Sequence, residues 1–439
     1  MDAQLLTTVR AGDTESLDRL LRTASADALA GDKGSALLRA AAFAGNADVV
    51  ASLLDAGVDP ARPWDDGVDP VSWAADFGAY EVLWELVHNV PYWRKQVPQH
   101  LKRGALDIGR LWLSLDPEVE LRRRLGAHPD EPAAVERVRI LTREQEPEHA
   151  TRIRLTLADG RQAETQLDHR AIVTYLEHQF DIPVTPDELL ARALFHADPQ
   201  SCDWVQAEVG MAYHLTAEDQ FRWAADLVAH PSVDTRRFAT QLLHSLSCQE
   251  QPLKAQALEV LRPRLRAEDD PIALENVIGA FAEYTDRGDL TDILHQAGHP
   301  DPDIRGCVAA MLGNAIGEHP RLGPHANLPP HPFDTPPGVV ATLIRLAADH
   351  DGGVRAGALL SLSESGLDTP AVRDLLTAHL TDDHLRARLH AAVGLALRED
   401  PHGLDALHEI GAEFSPMDGL RWKVHGVEKV LEYRAATDG

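Results

Sequence analysis

Cysteine is scarce in this chain. Cys202, Cys248 and Cys307 are the only three among 439 residues; they lie far apart and show no CxxC spacing. An odd, scattered set excludes a disulfide framework or a zinc ribbon and suits the reduced thiols of a cytoplasm. Basic residues are also in deficit: 42 Lys and Arg face 69 Asp and Glu, a net charge of −27. That balance disfavours the whole molecule as a partner for nucleic acid or an anionic membrane. No apolar run approaches the roughly 18 residues of a membrane helix. Met1-Asp2-Ala3-Gln4 lacks the basic-then-apolar order of a signal peptide. The phosphate loops GxGxxG and GxxxxGK(S/T) are missing, as are GxSxG and HExxH. The expectation is a cytoplasmic protein, not an enzyme, with no cofactor and no metal. Its length allows roughly three domains at about 150 residues each.

What is present is repetition. Ala11-Gly12-Asp13 is echoed by Ala44-Gly45-Asn46 and by Phe77-Gly78-Ala79, so Gly12, Gly45 and Gly78 are 33 residues apart each time. Each glycine precedes an apolar run at helical spacing: Leu17, Leu20 and Leu21; Val49, Val50, Leu53 and Leu54; Val82, Leu83, Leu86 and Val87. Ser35-Ala36-Leu37-Leu38-Arg39-Ala40 and Asp69-Pro70-Val71-Ser72-Trp73-Ala74 stand where an ankyrin repeat has Thr-Pro-Leu-His-x-Ala. Leu53-Leu54-Asp55-Ala56-Gly57-Val58-Asp59-Pro60 looks like the ankyrin ending Leu-Leu-x-x-Gly-Ala-Asp-Pro. Residues 1 to about 90 thus resemble two full ankyrin repeats after a partial one. The consensus His is Leu38 in one repeat and Ser72 in the other. Each repeat is a helix pair that buries its apolar face only by stacking on a neighbour.

A second pattern begins near residue 225. His230-Pro-Ser-Val-Asp-Thr235-Arg236, His299-Pro-Asp-Pro-Asp-Ile304-Arg305, Asp349-His-Asp-Gly-Gly-Val354-Arg355 and Thr381-Asp-Asp-His-Leu385-Arg386 each read as an Asp-rich turn, an apolar residue, Arg, and then a helix of small residues. A degraded copy at Glu268-Asp-Asp-Pro271 carries Leu274 or Glu275 in place of the Arg. This resembles the HEAT-like, PBS-lyase-type repeat, in which a turn Asp pairs with the helix Arg. The resemblance implies four to six repeats over roughly 215–435. The group includes DNA glycosylases with cationic grooves and lyases that attach tetrapyrroles.

Between the two patterns the chain changes character. Arg137-Val-Arg-Ile140-Leu and Arg152-Ile-Arg-Leu155-Thr-Leu157 alternate, Asp159-Gly160 is a hairpin turn, and Arg161 to Leu167 can pair back. Asp168 can cap a helix over Ile172 to Phe180. Alternation places Arg137, Arg139, Arg152 and Arg154 on one sheet face and Val138, Ile140, Ile153 and Leu155 on the other. Residues 101–200 hold 14 basic and 18 acidic side chains, residues 201–439 hold 20 and 36. The arginine face is either a site for phosphate, nucleic acid or an acidic segment, or an ordinary solvated face with acidic neighbours. The expected fold is all-α, a two-part helical repeat solenoid with a small antiparallel β insertion near 136–167. The expected division is 1–100 ankyrin repeats, 101–214 joint, and 215–439 HEAT-like repeats.

Other candidates are thinner. His319, His325 and His331 lie six apart in a proline-rich insertion, residues 318–338, whose spacing fits no defined metal site but could contact a partner. The carboxylate pairs Asp269/Asp270, Asp301/Asp303 and Asp382/Asp383 read as caps and arginine partners. Trp64, Trp73, Trp84, Trp93 and Trp112 cluster before the joint, as core filling or as an aromatic anchor for a partner. Cys202 reads as packing. The expected function is a non-enzymatic scaffold for a protein or peptide, with an inhibitor or immunity-type protein as a sub-case, and with a basic partner steered by the acidic C-terminal half. The alternative is a nucleic-acid-binding, repair-like protein acting through the arginine joint.

Overall fold

The structure, a computed structural model, describes residues 2–23, 29–88, 94–141, 149–248, 253–285, 290–316, 338–411, 424–427 and 429. Two compact units divide the chain, Met1–Gln220 and Phe221–Gly439. Both are built of paired helices, and a three-stranded antiparallel sheet belongs to the first.

In the first unit, α1 (Asp2–Ala11), α3 (Gly31–Ala44), α5 (Pro70–Phe77) and α7 (Gln99–Leu113) pack side by side as one layer. A second layer holds α2 (Thr14–Leu21), α4 (Ala47–Asp55) and α6 (Tyr80–Val87). The 33-residue glycines explain the turn between layers. Gly12, Gly45 and Gly78 adopt φ of +71°, +72° and +73°, the left-handed conformation that ends a helix without strain only in glycine. The amide after each reaches back five residues: Asp13 to Thr8, Asn46 to Ala41, Ala79 to Ala74. Asp13 and Asn46 then cap the next helix through the amides of Ser16 and Val49. Leu17, Val49, Val50, Leu53, Leu54, Val82, Leu83 and Leu86 are buried between the layers.

After α8 (Pro117–Arg124) come β1 (Ala133–Leu141), β2 (His149–Leu157) and β3 (Gln162–Gln166), in that spatial order. Gly160, at φ +87°, makes the turn between β2 and β3. The arginines do not form one face. Arg137 and Arg139 stand opposite Ile153 and Thr151, whereas Arg152 and Arg154 stand opposite Val138 and Glu136. Directly opposed residues share a face, so the four arginines split into two pairs on opposite sides. Alternation fixes faces within a strand; register is set by the length of the connection, and a shift of one inverts it. Ile153, Leu155 and Leu157 pack on Leu121 and Leu167.

Three helices complete this unit: α9 (His169–Gln179), α10 (Pro186–Ala193) and α11 (Cys202–His214). Asp168 precedes α9 but makes no side-chain cap. Asp203 supplies it instead, its Oδ1 accepting from the Ala171 amide at 2.8 Å. α12 (Ala217–Leu227) runs across the division.

The second unit repeats one arrangement. α13 (Val233–Ser247), α15 (Pro271–Tyr284), α17 (Pro302–Ile316), α19 (Gly352–Glu364) and α21 (Leu385–Leu397) form one layer, each packed on the next. The other layer comprises α14 (Lys254–Ala267), the short α16 (Thr291–Leu294), α18 (Val339–Ala347), α20 (Pro370–Ala378) and α22 (Pro401–Gly411). The fourth residue of a layer helix carries the joint between repeats. Arg236, Arg305 and Arg355 each donate Nη1 to the carbonyls five and six residues before them. The rest of each guanidinium grips the acidic turn of the following repeat: Arg236 on Glu268, Arg305 on Asp349 at 2.7 and 2.8 Å, Arg355 on Asp382 at 2.8 and 2.7 Å. The turn acid and the arginine thus belong to neighbouring repeats. In the last copy Arg388, not Arg386, holds the position, donating to the carbonyls of Asp382 and Asp383. Helix α21 starts two residues later than the pattern implied. In α15 the position is Leu274, which is buried. Arg398, 6% exposed, closes α21 by donating to the carbonyls of Leu362, Ser363, Ser365, Leu367 and Gly394.

Candidate functional site

Each sheet arginine has a carboxylate beside it. Arg137 meets Glu118 at 2.5 Å, Arg139 meets Asp198 at 2.5 Å, and Arg154 and Arg152 lie 2.8 and 3.8 Å from Glu164. His319, His325, His331 and Trp93 lie outside the described residues. Among those described, no group of three or more His, Cys, Asp or Glu could hold a metal ion. Asp270 caps α15 and takes Arg237; Asp382 takes Arg355 and His379. Asp301 accepts from the Asp303 amide at 2.9 Å. Cys202 is buried with its thiol 3.7 Å from the His149 carbonyl, and burial pushes the Cys307 thiol up to about 12, far from a reactive thiolate. No described helix is long and apolar enough to cross a membrane.

Three buried groups near α9 titrate abnormally. Burial lifts Asp203 to about 7 against its hydrogen bond from Ala171, and burial together with Asp203 raises Asp168 well above the carboxylate range. Burial drives His169 down to about 3, so its ring is neutral where it stacks on Trp112, 4.4 Å between centroids. These groups sit inside the packing, where they position α9.

The structure gathers a groove on the first unit instead. The loop between α4 and α5 closes on itself, Trp64 N–H donating to the Val68 carbonyl and Gly67 N–H to the Trp64 carbonyl. That turn folds the Trp64 indole beneath α3. Phe43, 49% exposed, lies 5.8 Å from Trp64 and stacks on Trp73 at 4.7 Å; Trp73 stacks on Phe77 at 5.0 Å. A cation sits at each end of this ladder. Arg39 lies 5.2 Å from the Trp64 ring and 5.4 Å from that of Phe43, and Arg152 lies 5.8 Å from Phe77. Arg39 is held by Asp66 at 2.7 Å. Over the Phe43 end opens a cavity of about 490 Å³, with Leu6, Arg10, Ser35, Arg39 and Asp65 around it. That volume falls in the range of ligand pockets, roughly 300–1,000 Å³.

Of the five tryptophans that the sequence offers as core filling or as an anchor, the structure joins Trp64 and Trp73 with Phe43 and Phe77. Of the four arginines it brings only Arg152 to this ladder. The β insertion reaches the groove because of the same glycines that end the helices. A Cβ on Gly45 would come within 3.1 Å of the Arg152 guanidinium, and one on Gly78 within 2.3 Å of the Gln166 carbonyl. Phe43, Arg39, Arg10 and Ser35 were missed. A signal existed: Leu6 and Arg39, Arg10 and Phe43, and Ala44 and Phe77 are each 33 residues apart, equivalent positions of successive repeats.

No family model matches the chain, and no curated protein matches it. Among solved structures it is similar to Escherichia coli YibA, at 16% identity and a TM-score of 0.41, over 54% of this chain and 78% of that one. It is also similar to two engineered proteins. One is 16% identical with a TM-score of 0.33, over 49% of this chain and 97% of the other. The second is 14% identical with a TM-score of 0.36, over 98% of both chains. Likenesses this loose assign neither fold nor function.

Proposed function

We propose that this chain is a non-enzymatic scaffold that binds a segment of another polypeptide, and that the groove over Phe43 and Trp64 is its principal contact. The observation carrying this reading is a half-exposed phenylalanine on a rigid aromatic ladder beside an open cavity. Buried aromatic anchors with a polar rim are where binding energy concentrates at interfaces. The repeat types support it. The glycine-closed helix pairs of period 33 resemble ankyrin repeats, and the forward-reaching arginines of the second unit resemble HEAT-like repeats. Both architectures expose surfaces whose residues vary without touching the core. The acidic excess in residues 201–439 suits a basic partner there. The scattered thiols suit a cytoplasm. A nucleic-acid reading loses its surface, since the four arginines split between two faces and each has a carboxylate neighbour.

The test is a selection from a displayed random peptide library, followed by calorimetry on the parent and on Phe43→Ala. Selected peptides are expected to lose about tenfold or more in affinity on the variant, the scale of an interface anchor. A library that yields no binder, or binders indifferent to Phe43→Ala, overturns the reading.

A further inference from the structure

We propose that the occupant of this groove is an acidic peptide segment: a carboxylate seated between Arg10, Arg39 and Trp64, with a neighbouring apolar or aromatic residue on Phe43. This rests on the peptide-binding reading above and adds the chemistry of the ligand. The argument is a census of polar groups. Trp64 is 5% exposed, and its Nε1–H has no acceptor among the described residues. An indole N–H can only donate. Ser35 is 6% exposed, lines the same cavity, and its Oγ is also unpartnered among the described residues. Native proteins rarely leave such atoms unsatisfied, because each costs the full desolvation of a polar group. Arg10 and Arg39 add cationic donors. Of the two acids nearby, Asp66 and Arg39 engage each other, and Asp65 stands on the rim. The buried unpartnered atoms are the Trp64 donor and the Ser35 hydroxyl, and a ligand that serves the indole must supply an acceptor.

The ring faces point the same way. An aromatic groove often attracts a cation, but Arg39 already occupies the faces of Phe43 and Trp64. An incoming Lys or Arg would meet a like charge there. An aspartate or glutamate instead completes charge-assisted hydrogen bonds, the stronger class. At the other end of the ladder the Arg152 Nε is buried and unpartnered among the described residues, one more donor.

The experiment uses the full chain and three peptide sets that share an aromatic residue and differ in its neighbours: Asp and Glu, Asn and Gln, or Lys. Binding is read by calorimetry at low and moderate salt. The acidic set is expected to bind, and its amide counterpart to bind about tenfold more weakly, the loss of a charge-assisted bond. Trp64→Phe keeps an aromatic ring and deletes the donor. It is expected to weaken acidic peptides several-fold and amide peptides less, since a bond to a charged acceptor is the stronger class. Arg10→Gln, at an exposed position, is expected to reduce both affinity and salt dependence, and serves if Trp64→Phe fails to fold. Amide or Lys peptides that bind as well as acidic ones, with loss in Phe43→Ala, overturn the acidic assignment while the peptide-binding reading stands. Failure of all three sets, together with an empty library selection, overturns both.

Discussion

Replacing Arg398 with methionine probes how much a buried cation holds the second unit together. The side chain donates to five backbone carbonyls, at 2.7 to 3.1 Å. Two of them, Leu362 and Ser363, belong to the last turn of α19, where carbonyls lack intrahelical partners and the helix end is negative. Burial lowers the pKa of this guanidinium, so its desolvation is a real cost. Methionine returns that cost and fills much of the space, but donates nothing. Leu362 retains the Ser365 hydroxyl at 2.7 Å. Ser363, Ser365, Leu367 and Gly394 then lose their Arg398 bonds, and orphaned acceptors cost about 1–3 kcal/mol each. Taking the low end to allow for partial hydration gives about 4 kcal/mol. At roughly 2–4 °C per kcal/mol for a unit of this size, the melting transition falls by about 8–16 °C. Lysine keeps the charge but places its donors on one atom, so Arg398→Lys is expected to recover less than half. Calorimetry gives the transition, and hydrogen exchange at residues 363–367 assigns it. A methionine variant that melts with the parent would show that those carbonyls find water and that the cation contributes nothing.

Other expectations follow from single contacts. Gly78→Ala puts a Cβ 2.3 Å from the Gln166 carbonyl at a φ of +73°, and should cost at least about 2 kcal/mol in denaturant melts. Gly67→Ala, also at positive φ but with open space around it, should cost about 1 kcal/mol. Arg355→Ala should destabilise the second unit, and peptide binding at the Phe43 groove should survive; unchanged melting with lost binding would contradict its structural assignment. Asp203 has a raised folded pKa of about 7, so the parent binds its proton where the unfolded chain does not, and loses stability from about pH 4 up to 7. Asp203→Asn keeps the acceptor for Ala171, and its stability relative to the parent should rise across that window and level off above it. An equal pH profile in the two proteins would refute the buried-carboxylate account.

How much of this was legible depended on whether a physical constraint leaves a residue type behind. A left-handed helix end requires glycine, so Gly12, Gly45 and Gly78 mark the first unit at a fixed interval. A guanidinium reaching to the next turn requires arginine, so Arg236, Arg305 and Arg355 mark the second. Two arginines sit close together in the last copy, and pattern alone took Arg386 where the helix start selects Arg388. Strand alternation was correct for each strand, yet the arginine face dissolved because register depends on the connection between β1 and β2. Asp168 sits one residue before α9, but the acceptor that serves Ala171 comes from Asp203, 32 residues on. The groove was hardest. Phe43 looks like any apolar residue of a helix, and only equivalence with Arg10 one repeat earlier places it on the open face.

Three arginines of the second unit reach forward along the chain, Arg236 by 32 residues, Arg305 by 44 and Arg355 by 27. During synthesis, at about 5–20 residues per second, each repeat leaves the ribosome with its cation unmatched until the next acidic turn follows. The N-terminal neighbour, already made, does not supply the carboxylate, which lies in the turn still to come. At these three joints each newly emerged turn locks the repeat before it. Leu274 interrupts that sequence: the fourth residue of α15 offers the next turn no guanidinium, and the following segment is met instead from α14, where Arg262 and Arg266 reach Asp292.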